Sequence, residues 1–163
     1  MLLVAASQLF YGWWDWRFLS LLWISTILDY SVGLGLDRTH KPRNRKALLA
    51  LSLGGNLGLL GLYKYYDFFI GSARDLAATL GLTCSLQTLD LILPMGISFY
   101  TFQTLSYSLD VYKGKMPACK SFPDFLLFVT YFPQLVAGPI EKARELLPQL
   151  QKERHPTVAG FAD

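Results

Sequence analysis

Apolar residues fall in long runs separated by short clusters of charge. A helix needs about 20 residues to cross the hydrocarbon core of a bilayer. Residues 1–11 supply about half of that and are expected to form a partial span. Tyr11-Gly12-Trp13-Trp14-Asp15-Trp16-Arg17 follows in the manner of an interfacial belt. No basic n-region or small-residue cleavage site precedes it, so a cleaved signal peptide is not indicated. Residues 18–36 predict a full span that carries one acid, Asp29. Residues 47–66 predict the return crossing, with Lys64, Tyr65, Tyr66 and Asp67 marking its outer end. Gly54, Gly58 and Gly61 lie at helical spacing within it, a pattern that lets a neighbouring helix come close. Within Ser72–Asp90, Leu76, Leu80 and Leu82 alternate with polar positions, which predicts a short amphipathic helix on the outer surface.

Residues 91–112 predict the next span, which opens at Pro94-Met95-Gly96. Tyr100, Gln103, Tyr107 and Asp110 are spaced by three, four and three, so a helix places them on one stripe while Phe102, Leu105 and Leu109 face elsewhere. Polar groups are expensive in lipid, so this stripe should face protein or water. Two readings stand side by side: the lining of a substrate passage, or polar glue between helices. Residues 122–139 form a further apolar run, interrupted by Pro133 and ending in Gly138-Pro139. A broken or re-entrant segment is expected there, because non-helical backbone at membrane depth survives only inside protein or beside a wet cavity. Together these elements predict an all-α, polytopic transmembrane helical bundle forming a single membrane domain over 1–163.

Composition strengthens the membrane reading, since 52% of the residues are hydrophobic and only 17% are charged. The net charge of +3 comes mainly from Arg38, Lys41, Arg43, Arg45 and Lys46. By the positive-inside rule the loop 37–46 is expected to be cytoplasmic in a multi-pass protein of the plasma (inner) membrane. The expected partner of such a chain is the lipid bilayer, and a nucleic acid is not implied. Lys113, Lys115 and Lys120 predict a second cytoplasmic loop. Cys84 and Cys119 then fall on opposite sides, which argues against a disulfide.

Histidine is the usual base for an O-acyl transfer, and only His40 and His155 are present. Both sit in polar, solvated stretches rather than in a shaped site, so neither is assigned as a base. No metal-ligand spacing, Gly-x-Ser-x-Gly elbow or phosphate-binding glycine loop occurs. Asp29 and Asp110 are the acids nearest membrane depth. Asp110 precedes Lys113 by three residues, so an interfacial ion pair or helix-end anchor competes with a role in a passage. For Asp29 a bond to a neighbouring helix is expected, with Asn56 one available partner.

The run Pro94-Met95-Gly96-Ile97-Ser98-Phe99-Tyr100-Thr101-Phe102-Gln103, then Asp110-Val111-Tyr112 and Phe132-Pro133-Gln134-Leu135-Val136-Ala137-Gly138-Pro139-Ile140, resembles the membrane-bound O-acyltransferase (MBOAT) family. Phe10-Tyr11-Gly12-Trp13-Trp14-Asp15 and Tyr63-Lys64-Tyr65 are similar to its bacterial, alginate O-acetyltransferase-like branch. The resemblance implies a partial MBOAT fold, in which an acyl group, acetyl in alginate-type members, passes from a cytoplasmic donor through a tunnel to hydroxyls of an extracellular polysaccharide. Acetyl-CoA or an acyl carrier is the implied donor, with no resident cofactor. Periplasmic or cell-wall acetylation proteins are the implied partners.

In that family the catalytic histidine lies in a later hydrophobic segment, which would fall beyond residue 163. No catalytic residue is therefore assigned, and the chain is expected to be an amino-terminal fragment, inactive alone. Tyr100, Gln103, Tyr107 and Asp110, with the 133–139 break, are the residues placed nearest the acyl path. Two other classes compete: a non-catalytic membrane adaptor built on the glycine face, and a small transporter subunit. The latter should show paired interrupted helices, and this sequence has none.

Overall fold

The computed structural model describes residues 2–82, 87–94, 96–131 and 142–151, and among them there is helix but no strand. The described residues form seven α-helices in chain order: α1 (Leu2–Trp14), α2 (Trp16–Arg38), α3 (Pro42–Leu60), α4 (Tyr66–Thr79), α5 (Ile97–Tyr112), α6 (Phe122–Thr130) and α7 (Ala143–Gln151). The centre is a triangle of α2, α3 and α5, each packed on the other two. Helix α1 lies against α2 and α6, while α6 and α7 pack on each other and on α5. Trp16–Arg38 and Pro42–Thr79 are long and apolar enough to cross a bilayer. The chain is an all-α membrane protein.

Local chemistry explains where these helices start and stop. Asp15 is extended and its side chain accepts from the Arg17 amide at 2.9 Å, which caps α2. The 23 residues of α2 give a rod of about 35 Å, enough for the hydrocarbon core. Thr39 is extended, and Pro42 then opens α3 at a position that needs no amide donor. Helix α5 begins at Gly96, whose φ of 73° is left-handed. It ends in a Schellman turn on Gly114, φ 68°, with the Lys115 amide bonded to the Asp110 carbonyl and the Gly114 amide to that of Val111. Gly81, φ 72°, closes α4 in the same way.

Several expectations are corrected. The helix expected over 47–66 does not stop at Tyr66: a π-helical turn, Gly61–Tyr65, joins α3 to α4 and the rod runs unbroken for 38 residues, about 57 Å. Nothing in Gly61–Asp67 breaks a helix, and its charges bond sideways instead. Lys64 Nζ donates to Ser98 Oγ at 2.9 Å, and Asp67 Oδ1 accepts from the Leu89 amide at 2.7 Å. The helix expected within 72–90 is therefore the end of this rod and stops at Thr79. The span expected from residue 91 is helical only from Ile97, because Pro94 disfavours helix before it and Gly96 reverses the backbone.

The glycine row is also corrected. Added methyl groups at Gly54, Gly58 and Gly61 would meet nothing within 4 Å among the described residues, so no described helix packs closely on this face. Close approach occurs one residue along, at Gly55 against Leu28, and at Gly33 under the Tyr107 ring. Helix α6 stops at Thr130, and its nine residues span about 14 Å, too short to cross. The expected break at Pro133 to Pro139 lies outside the described residues, as do Cys84 and His155.

Candidate functional site

A carboxyl group lies wholly buried where α2, α3 and α5 meet. Asp29 Oδ1 accepts from Ser108 Oγ at 3.0 Å and from Ser52 Oγ, and Oδ2 accepts from Asn56 Nδ2 at 2.7 Å. Ser25 Oγ in turn donates to Asn56 Oδ1 at 2.5 Å, with Thr104 Oγ1 at 3.5 Å from the same oxygen. Every member of this network is buried, and each of the three helices contributes at least one residue. Asn56 is thus the partner of Asp29 that the sequence offered. Buried polar groups are costly unless bonded, so the network fixes the register of three helices at once.

Helix α5 carries two polar faces, of which the sequence showed only one. Thr101, Thr104 and Ser108 are buried, and the latter two reach the Asp29–Asn56 network. Tyr100, Gln103 and Tyr107 are buried on the other face. Gln103 Nε2 donates to the Phe128 carbonyl at 2.8 Å, which ties α5 to α6. Tyr107 Oη accepts from the Cys119 amide at 3.1 Å while its ring stacks 4.6 Å from Phe125. Tyr100 Oη is buried with no hydrogen-bond partner among the described residues. Asp110, the fourth member, is set apart at the helix end. Its carboxylate lies 4.0 Å from Lys115 Nζ, so the ion pair anticipated with Lys113 is made with Lys115, which the Gly114 turn swings back.

At that same end Arg45 joins two helices. Its guanidinium donates to the Leu36 carbonyl, to Thr39 O at 3.1 Å and to Tyr112 O at 2.7 Å, and lies 5.5 Å above the Tyr112 ring. These are the unpaired carbonyls at the C-termini of α2 and α5, where a helix dipole favours a cation. Sequence reading counted Arg45 among the orientation charges and missed this role. Arg45 also lines a 380 Å³ cavity with Asp37, His40, Val111 and Lys115. His40 itself is exposed there.

A second cavity of 540 Å³ adjoins it, between the α5–α6 connector and α7. Among the described residues its cations are Lys115, Lys120 and Arg144, and Cys119 lies in its wall. Burial pushes the Cys119 thiol above its ordinary pKa. At the opposite end of the bundle, Asp15, Arg17, Tyr63 and Asp90 line a third cavity of 380 Å³.

Across all of this chain, a probable alginate O-acetylase AlgI of Pseudomonas putida is 39% identical over 166 residues. The chain is a homologue of the alginate O-acetylases. The corresponding Pseudomonas aeruginosa protein, also named a probable alginate O-acetylase AlgI, is 37% identical over 164 residues. A peptidoglycan O-acetyltransferase of Helicobacter pylori is 34% identical over 94% of the chain. The chain spans about a third of the length of these curated relatives. The aligned stretch covers the seven described helices. No protein-family model and no solved structure matches the chain.

Proposed function

We propose that this chain is part of an MBOAT-type enzyme that carries an acetyl group from a cytoplasmic donor across the inner membrane to hydroxyls of an extracellular, alginate-like polysaccharide. The single observation that carries this reading is the similarity of the entire chain to alginate O-acetylases. The name of the Helicobacter pylori relative supports a carbohydrate acceptor outside the cell, though of a different polymer. In this reading the end of the bundle bearing Arg45, Lys115 and Lys120 faces the cytoplasm, together with loop 37–46, and acetyl-CoA or an acyl carrier delivers the acyl group there. Acetylation proteins in the periplasm or cell wall are its partners.

The described residues act here by positioning. Asp29, Ser52, Asn56 and Ser108 lock α2, α3 and α5 together, and Arg45 locks the cytoplasmic helix ends. In this reading Tyr100, Gln103 and Tyr107 lie beside the acyl path, and the buried Tyr100 Oη, which has no hydrogen-bond partner among the described residues, would meet a polar atom moving through it. In the same reading Asp110 sits at the mouth, largely covered and 4.0 Å from the half-exposed Lys115. No acid or base for the chemical step is assigned to this chain.

The test is a chimera in which this chain replaces its aligned third of the Pseudomonas putida protein, expressed in a strain lacking that protein. Restored O-acetyl ester content in the secreted polysaccharide is the expected result. A chimera that accumulates in the membrane at the parent's level yet leaves the polysaccharide unacetylated would overturn the reading.

A further inference from the structure

We propose that the 540 Å³ groove between the α5–α6 connector and α7 binds the phosphate of an anionic phospholipid headgroup. The proposal rests on the lining of the groove and stands whichever side of the membrane the groove faces.

The floor of the groove is rigid and apolar. The connector is pinned twice from below: the Cys119 amide donates to Tyr107 Oη at 3.1 Å, and Tyr30 Oη donates to the Lys120 carbonyl at 2.8 Å. Ala118, Cys119 and Leu147 are buried beneath it. Gln151 Nε2 reaches Cys119 Sγ at 3.7 Å and closes the gap between the connector and α7. A site held this way pays little ordering entropy when a ligand arrives.

The rim, in contrast, is cationic. Lys115, Lys120 and Arg144 all line the groove, and among the described residues no carboxylate lines it. Two of the three have carboxylate neighbours just outside it. Lys115 is 4.0 Å from Asp110, and Arg144 is 3.4 Å from Glu145, with Lys115, Arg144 and Glu145 well exposed. Ion pairs of this exposed kind are weak and yield readily to a stronger anion. A phosphate diester supplies one, with acceptor oxygens for both an ammonium and a guanidinium.

Position and lining select the source of that phosphate. The groove lies at the end of the bundle where α2 and α5 terminate, and the end of a bilayer-spanning helix such as α2 meets the headgroups. Its lining pairs Met116, Pro117 and Pro148 with the three cations, and this amphipathic character suits a headgroup attached to its glycerol better than a freely hydrated ion. Basic pockets at helix ends are established places for anionic lipids.

The experiment uses the whole chain, purified in neutral detergent and read by native mass spectrometry and thermal stability with phosphatidylglycerol or phosphatidylcholine added. Phosphatidylglycerol should be retained and should raise the melting temperature, and phosphatidylcholine should do neither. The pair Lys120→Ala and Arg144→Ala should weaken phosphatidylglycerol binding about thirtyfold, the loss expected for two basic residues at a lipid surface. Lys120→Gln alone should weaken it about fivefold, which keeps the test valid should the double variant misfold. Arg43→Ala with Lys46→Ala removes two exposed cations elsewhere on the same end and should leave binding unchanged. Equal losses in the two double variants would mean diffuse surface charge and would overturn the site. No preference for phosphatidylglycerol would overturn it as well. Displacement of the lipid by millimolar inorganic phosphate would assign the groove to a soluble phosphate and overturn the headgroup.

Discussion

If the Asp29 network holds the central triangle, its cost can be counted bond by bond. Asp29→Ala removes the acceptor of three hydrogen bonds, from Ser52, Asn56 and Ser108. Side-chain hydrogen bonds between membrane helices average about 0.6 kcal/mol in double-mutant cycles, so three amount to about 2 kcal/mol. Partial rescue keeps the loss near that value, because Asn56 Nδ2 already shares the Ser52 carbonyl at 3.0 Å and the serine hydroxyls can turn to carbonyls of their own helices. Ser108→Ala removes one bond and should cost about 0.6 kcal/mol. Asn56→Ala should cost more than Ser108→Ala, since it also strands Ser25 Oγ. Asp29→Asn keeps the shape and an acceptor for both serines but sets one amide donor against another, a loss of about one bond. The assay is reversible unfolding in mixed micelles with rising dodecyl sulfate, supplemented by the Asp29→Ala, Asn56→Ala double-mutant cycle. A cycle with no coupling energy, or an Asp29→Ala protein within about 0.5 kcal/mol of the parent, would refute the network as a stabilising unit.

The other tests probe packing, the helix ends and the thiol. Gly33→Ala would set a methyl group 2.8 Å from Tyr107 Cε1 and should destabilise by about 1–3 kcal/mol in the same unfolding assay. Gly54→Ala faces open space and should stabilise by up to about 1 kcal/mol through helix propensity. Arg45→Ala should cost about 2 kcal/mol, and Arg45→Lys should recover less than half of it, since an ammonium cannot bridge the α2 and α5 carbonyls as the planar fork does. In a Cys84→Ser background, Cys119 should alkylate several-fold more slowly than a free thiol at pH 8 and react fully once the chain unfolds. Its raised pKa favours the protonated thiol in the folded state. That contribution to stability is complete below the unfolded thiol's pKa of about 8.5 and is lost as the pH rises above it, so a stability that rises from pH 8 to 10 would contradict the burial.

What was legible in the sequence was periodicity and the expense of burying charge. The apolar run around Asp29 marked α2 to within two residues at either end, and a lone acid at membrane depth pointed to an amide across the interface. The spacing of Tyr100, Gln103 and Tyr107 marked one buried face of α5. Its second face escaped notice because threonine and serine look neutral in a helix. Their hydroxyls can return to a carbonyl on their own turn, as Thr104 Oγ1 does to Thr101 O at 3.2 Å, and only the tertiary partner reveals that they also point outward to a carboxylate. The Schellman turn at Gly114 was within reach, since glycine two residues beyond a periodic run is its usual signal.

The misplaced glycine contact and the misjudged rod share a physical origin: both depend on which neighbour a residue meets, and a one-dimensional pattern holds no neighbours. Gly54 and Gly55 differ by about 100° around α3, and spacing alone cannot say which of them faces α2. Lys64 and Asp67 looked like the outer boundary of a crossing because charge normally ends one, yet their partners, Ser98 and the Leu89 amide, come from more than 20 residues further along. Arg45 belongs to the same class. Among five neighbouring cations it counted as a single unit of positive charge, whereas the fold singles it out by the orphaned carbonyls of two helices that terminate beside it. Charge along a membrane chain therefore carries two kinds of information. Its sum speaks to orientation, and its individual members take structural roles only where helix ends, turns or grooves supply the complementary group. Lys120 and Arg144 are the members for which the groove leaves that complement to a ligand, and their replacement is the sharpest way to separate the two kinds.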